Sequence, residues 1–330
     1  MSNKLPRLRG RIILFLCALL VVLRLGHMAA EQSYYGPGPL RASADLVIPP
    51  GAIATAAETL ARKGAIRHPL LFCIAAYLTR KDGPIHAGEF LIPARASMAD
   101  IFRILRHGAP VQHQLTIPEG LTAVEITKIL NAASPASGHA ATPPEGSVLP
   151  QTYDYTYGAS RESILARAQR AMRRTLAAAW AQRAPGLPLH SPQQALILAS
   201  IVQAETPLPA ELPKIAAVYE NRLIKGMKLQ ADPTVIYAQS GGKTSGGMSI
   251  TRAALANPSA YNTYMHQGLP PGPIGAPGLA AIQAVLHPAA THALYFVATG
   301  DGGHVFADNF RTQLRNIAAY RATRAAEEEP

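Results

Sequence analysis

Hydrophobic and polar positions fall into three patterns along the 330 residues of this chain. The first is an uncharged apolar run, Ile12 to Leu23, which extends through Arg24 and His27 to Ala30. As a helix, the stretch from Ile12 to Ala30 is roughly 28 Å long and just crosses a bilayer if Arg24 snorkels to the interface. Met28, Ala29 and Ala30 also resemble a small-residue cleavage site, so an uncleaved anchor is favoured over a signal peptide but does not displace it. The second pattern is short extended segments: Leu46 to Pro49, Gly88 to Ile92, Gln112 to Ile117, Met227 to Gln230 and Leu294 to Ala298. The last of these is joined through a turn at Asp301, Gly302 and Gly303 to His304 to Phe306. The third is helical spacing over 51–63, 68–78, 97–107, 123–132, 160–183, 191–205, 212–225, 277–287 and 309–321, with a further helix after Asp232.

Interleaved strands and helices of this kind predict an α+β fold. Residues 1–30 form a cytoplasmic tail and anchor, and 31–44, rich in Tyr, Gly and Pro, a linker. A small α+β module covers 45–110, a larger α+β domain 111–325, and an acidic tail 326–330. Ala133 to Gly146 and Ser240 to Gly247 read as low-complexity loops, the second expected to be flexible. The latter lacks the GxxxxGK[ST] spacing of a P-loop.

One helix stands out. Ser191 caps it, Pro192 suits its first turn, and Gln194 is placed to complete a capping box. Leu198, Ile201 and Val202 stand on the same face as Glu205, and Thr206, Pro207 and Pro209 end the helix there. An acid on an apolar stripe, at the negative end of a helix dipole, favours its protonated form and suits a general acid. A carboxylate tipped into water at the helix end is the competing reading.

Composition changes this picture little. Hydrophobic residues make up 48% and charged residues 15%, but 28 Pro and 26 Gly and the lack of a second long apolar run argue against a polytopic membrane protein. The net charge of +11 is partly N-terminal: Lys4, Arg7, Arg9, Arg11 and Arg24 precede the first acid, Glu31, leaving 26 of the 31 basic residues against 20 acidic ones. Basic residues ahead of the apolar run keep the N-terminus cytoplasmic and put the rest outside the inner membrane. The nearest approach to a basic cluster, Arg170, Arg173 and Arg174, lies on an ordinary helix face, so no nucleic-acid partner is expected. Cys17 and Cys73 allow no disulfide within the body and no cysteine zinc site, and no metal set is expected. Tyr153, Tyr155 and Tyr157 fit either stacking on sugar faces or half-burial at a domain edge.

Four blocks carry a resemblance: LASIVQAET (198–206), VYENRLIKGMKLQADPTVIYA (218–238), AYNTYMHQGLPPGPI (260–274) and LYFVATGDGGHVF (294–306). With weaker likeness at HAGEFLI (86–92) and LPQTY (149–153), they resemble the endolytic murein transglycosylases, the YceG-like family. The resemblance implies a LysM-like module over 45–110 and a catalytic domain over 111–325. It also implies cleavage within peptidoglycan glycan strands near the inner membrane, leaving 1,6-anhydro-N-acetylmuramic acid ends. The family's catalytic Glu falls on Glu205, and Gln203 stands where relatives commonly carry another Glu. Gln230, Asp232, Asn262 and Tyr264 are assigned to binding the sugar, with Asn221, Arg222 and His304 behind them; each also has a plain reading as a cap or buried hydrogen bond.

No cofactor is expected. Pyridoxal-dependent lyase chemistry is rejected because Lys214, Lys225, Lys228 and Lys243 all fall in loop or helix-surface contexts, and export would part the enzyme from a cytoplasmic substrate. The expected partners are glycan strands, the inner membrane through the N-terminal helix, and peptidoglycan synthases. The alternative function is a non-catalytic peptidoglycan-binding scaffold of the cell-wall elongation machinery.

Overall fold

The computed structural model describes residues 5–300 and 302–328. Mixed helices and short strands form two compact units, residues 1–113 with 156–158, and residues 114–155 with 159–330.

In the first unit α1 (Leu5–Tyr35) is an apolar helix, and its segment Leu14–Tyr35 is long and apolar enough to cross a membrane. It runs five residues into the expected linker. The rest of that linker is not free either: Gly38 N donates to Arg95 O and Arg95 N to Leu40 O, tying it to the body of the unit. The module proper runs β1 (Ala44–Ile48), α2 (Ile53–Arg62), α3 (Pro69–Leu78), a short 3-10 turn, β2 (Gly88–Ile92) and α4 (Met98–His107). β1 and β2 are antiparallel with Leu46 opposite Phe90, and alternation sends Leu46, Ile48, Phe90 and Ile92 to one face. There they meet Leu60, Phe72, Ile101, Phe102 and Leu105, with the Phe72 and Phe102 rings stacked 4.4 Å apart. Ile53, at the start of α2, is exposed. A capping box between Ser97 and Asp100 starts α4.

The second unit holds most of β3 (Gln112–Thr116) and β4 (Thr152–Thr156), which pair as a two-stranded sheet. It also holds α5 (Ala123–Ala132), α6 (Arg161–Ala181), α7 (Pro192–Glu205), α8 (Leu212–Ile224), α9 (Asp232–Ser240), α10 (Arg252–Leu255), α11 (Leu279–Leu286), the antiparallel hairpin β5 (Tyr295–Ala298) and β6 (His304–Ala307), and α12 (Phe310–Glu328). α7 is its centre. Every residue from Ala195 to Val202 is buried, and α6, α8, α9 and α11 all pack on it. Such all-round burial explains why its sequence is apolar on more than one face. Ser191 caps α7 through Gln194 N, but the Gln194 side chain accepts from His190 N rather than closing a capping box.

Several expectations are corrected. Residues 227–230 form no strand: Arg222 holds the carbonyls of Lys228 and Leu229, and Gln230 takes a left-handed φ of 51°, which no regular strand accommodates. The loop after α9 is tied down by Glu125, whose carboxylate accepts from Thr244 Oγ1 and Ser245 N. Tyr153 and Tyr155 are buried, donating to the carbonyls of Leu149 and Ser134, so their rings are unavailable to a sugar; Tyr157 is exposed. α12 continues through Glu328, so the expected acidic tail is helical there, while Asp301, Glu329, Pro330 and Lys4 lie outside the described residues.

One buried acid carries an unpaired oxygen. Glu220 on α8 is 4% exposed, its Oε1 has no hydrogen-bond partner, and burial pushes its pKa up to about 8. With the folded value above the ordinary one, its contribution to stability is full below about pH 4.5 and falls as pH rises toward 8, by about 1.4 kcal/mol per pH unit at most. Replacing it with Leu therefore raises the melting temperature at pH 8 and changes it far less at pH 5; scanning calorimetry at the two values checks this, and equal shifts would refute it.

Candidate active site

Glu205 is the last residue of α7, half-buried where that helix emerges from the core. Tyr219 approaches from α8, 1% exposed, and its hydroxyl donates to Glu205 Oε1 at 2.5 Å. Burial pushes the Glu205 carboxyl up to about 7; the Tyr219 hydrogen bond opposes the rise, the Asp232 charge adds to it, and Arg222 draws it back. A neutral carboxylic acid is thus populated near pH 7, with Oε1 occupied by Tyr219.

Asp232 opens α9 in its first turn, where the helix dipole favours a carboxylate. It is exposed, and the Tyr264 hydroxyl donates to its Oδ1 at 2.5 Å. This pair is set by buried hydroxyls beneath it. Thr263 Oγ1 accepts from Ala231 N and pairs with Thr234 Oγ1, which locks the 259–264 segment against the start of α9. Gln230, exposed beside Asp232 in sequence, is fixed by its own N–H donating to Thr263 O. Glu205, Asp232 and Arg222 are therefore close enough to act on one another electrostatically, and Tyr264 feels both acids.

The other expected binders occupy different positions. Asn262 is fully buried: its amide donates to the carbonyls of Leu255 and Asn257, and its Oδ1 accepts from Tyr264 N. It shapes the loop that carries Tyr264 and does not face the surface. Asn221 donates to the carbonyls of Thr291 and Ala293, and Arg222 to those of Leu294 and Leu229; both brace backbone. His304 does not touch Glu205. It is held by Glu211, which accepts from both His304 N at 2.8 Å and from the ring, 2.7 Å from Nδ1, while Thr206 donates to the same Glu211 carboxylate.

Tyr219 is not among the site residues expected from the sequence. Its hydroxyl gave the available signal, because a tyrosine on an inward helix face needs an acceptor, and Glu205 is the acid on the facing helix. Gln203 turns elsewhere, accepting from Gly278 N at 2.9 Å. Among the described residues, no cluster of three His, Cys, Asp or Glu side chains could hold a metal ion.

The chain is similar to several known proteins. An endolytic murein transglycosylase of Bacillus subtilis is 43% identical over 111 residues, 34% of this chain and 30% of that protein. One from Streptococcus pneumoniae strain R6 is 27% identical over 311 residues, 79% of this chain and 55% of that protein. The chain thus spans about half the length of the pneumococcal relative and less than a third of the Bacillus one. A crystal structure of a YceG-like protein from Listeria monocytogenes superposes with a TM-score of 0.51 at 25% identity, covering 83% of this chain and 99% of that one. The YceG-like family profile matches residues 46–319, most of both units, and the chain belongs to the YceG-like family.

Proposed function

We propose that this protein is a membrane-anchored endolytic lytic transglycosylase that cleaves the β-1,4 bond between N-acetylmuramic acid and N-acetylglucosamine inside peptidoglycan strands. The observation that carries the proposal is a half-buried Glu205 with its pKa pushed up to about 7 and one oxygen held by Tyr219. The names of the relatives point to the same reaction class.

In this mechanism the protonated Glu205 gives its proton to the glycosidic oxygen as the bond to C1 breaks. The resulting carboxylate then takes the proton from the C6 hydroxyl of the muramic sugar as that oxygen attacks C1, closing the 1,6-anhydro ring. One group serves as acid and then as base, and no water enters. Tyr219 steadies the carboxylate stage and orients the carboxyl so that Oε2 meets the substrate. Asp232, Tyr264 and Gln230 bind the sugar, Asp232 as an acceptor for its hydroxyls. The first unit, with its β-α-α-β order, serves as a LysM-like module that holds the glycan. α1 anchors the chain in the inner membrane with the second unit and the rest of the first periplasmic, within reach of the synthases that make new strands.

Glu205→Gln should lower kcat by at least about a hundredfold, the scale of a lost general acid, with folding intact by circular dichroism. Digestion of purified murein, with anhydro and reducing ends counted by mass spectrometry, checks this: unchanged anhydro product from the variant sinks the assignment, and no product from wild type favours the scaffold reading. Because the acid must be protonated to act, kcat should fall as pH rises through about 7. Tyr219→Phe removes a bond that holds that pKa down, so the alkaline limb should move to higher pH; an unmoved limb would mean Tyr219 only fills space. Asp232→Asn should raise KM and keep kcat within about tenfold of wild type. A collapse of kcat with reducing ends in the product would instead make Asp232 a second catalytic carboxylate.

A further inference from the structure

α3 is apolar on the wrong side as well as the right one. Phe72 and Ala76 turn into the core of the first unit, as expected of a packed helix. On the opposite face Leu70, Leu71, Ile74, Tyr77 and Leu78 stand at helical spacing and are exposed, Leu70 at 72% and Leu78 at 71%. A contiguous exposed stripe of this kind on one element marks a contact surface.

Its position says what covers it. Leu71, Ile74 and Leu78 line one wall of an apolar groove of about 290 Å³, and the other wall is the end of α1, from His27 through Ala30 to Tyr34 and Tyr35. The exposed stripe is therefore continuous with the last two turns of the helix that crosses the membrane, at the level where α1 passes from Leu and Val to His27, Glu31 and two tyrosines. Cations bracket the stripe. Arg67 precedes α3, and Arg80 and Lys81 follow it, all three exposed, while the neighbouring Asp82 lies 3.5 Å from Arg106. The Arg80 guanidinium lies 4.5 Å over the Tyr77 ring, an aromatic and cationic pair of the sort that suits a headgroup layer.

We infer that α3 is an interfacial helix: its Leu70, Ile74, Tyr77 and Leu78 face lies in the outer-leaflet boundary of the membrane that α1 spans, with acyl chains filling the groove between the two helices. This rests on the reading of α1 as a membrane anchor. The contact gives the first unit two points of attachment and holds it against the bilayer instead of letting it swing on a single helix.

The test uses the full chain, with Cys17 and Cys73 replaced by Ala, reconstituted into vesicles of phosphatidylethanolamine and phosphatidylglycerol. A fluorescent label is placed in turn at Tyr77→Cys, at Val21→Cys inside α1, and at Glu58→Cys on the exposed side of α2, and quenched by lipids carrying a nitroxide near the headgroup (for 77 and 58) or deep in the acyl chain (for 21), or by water-soluble iodide. The label at 77 should be quenched by the lipid nitroxide at least about twofold more than the label at 58, as for an apolar face sunk into the boundary layer, and be shielded from iodide. Adding Leu70→Ser and Leu78→Ser should return it toward the value at 58. If the label at 21 is quenched by lipid and the label at 77 is not, the interfacial role of α3 is overturned while the anchor stands. If 77 is shielded from iodide without lipid quenching, a protein covers the face and the lipid assignment fails. If 21 is not quenched by lipid, anchor and interfacial helix fall together.

Discussion

A carboxylic acid kept at the edge of an apolar core is the constraint that the second unit is built to meet. Glu205 cannot be fully ionised there without loss of solvation, and it cannot be fully withdrawn without losing contact with the surface. The surrounding structure holds it between these limits. α7 is buried from Ala195 to Val202, which leaves its last residue no freedom to slide, and Tyr219 supplies the one hydrogen bond that makes either protonation state tolerable. Phe296 packs edge-on against Tyr219 and His304 edge-on against Phe296, so the β5–β6 hairpin backs the hydroxyl that meets the acid.

The polar residues around the site divide by what they hold. Asp232 and Tyr264 present charge and hydroxyl at the surface, whereas Asn262, Asn221 and Arg222 spend their donors on backbone carbonyls that have no regular partner. This division follows from the local chain. Segments 226–231, 256–278 and 287–294 contain little regular structure, and buried carbonyls outside helices and strands must be paired by side chains. A loop that places functional groups needs an internal skeleton, and these three residues are that skeleton.

The legible and illegible parts of the sequence separate along the same line. Helices with caps and apolar stripes, such as α4 and α7, were readable because their signals are local. Glu205 was conspicuous for the same reason, as one acid in a periodic apolar pattern. Segment 227–230 misled because an apolar and polar alternation looks alike in a strand and in an irregular turn pinned by a distant guanidinium. Asn262 and Tyr264, neighbours in a polar motif, could not be told apart because burial of one and half-exposure of the other depend on contacts with α9 and α10. The Tyr219 to Glu205 bond joins two helices across the sharp turn at Thr206 to Glu211, and no periodicity encodes which inward tyrosine meets which acid.

The strap from Glu125 to the loop after α9 bears on how the molecule is made. The acid, its tyrosine and Asp232 lie within one stretch of chain, the Tyr219 bond closing only 14 residues, whereas Glu125 reaches Ser245 over 120 and Ser200 reaches Ile274 over 74. Closing long loops is entropically slower than closing short ones, so contacts of this length form late in folding. The chemistry of the site is thus assembled from local contacts, and its walls arrive afterwards. A partly folded chain holds its acid and tyrosine together before the segments that flank them are in place.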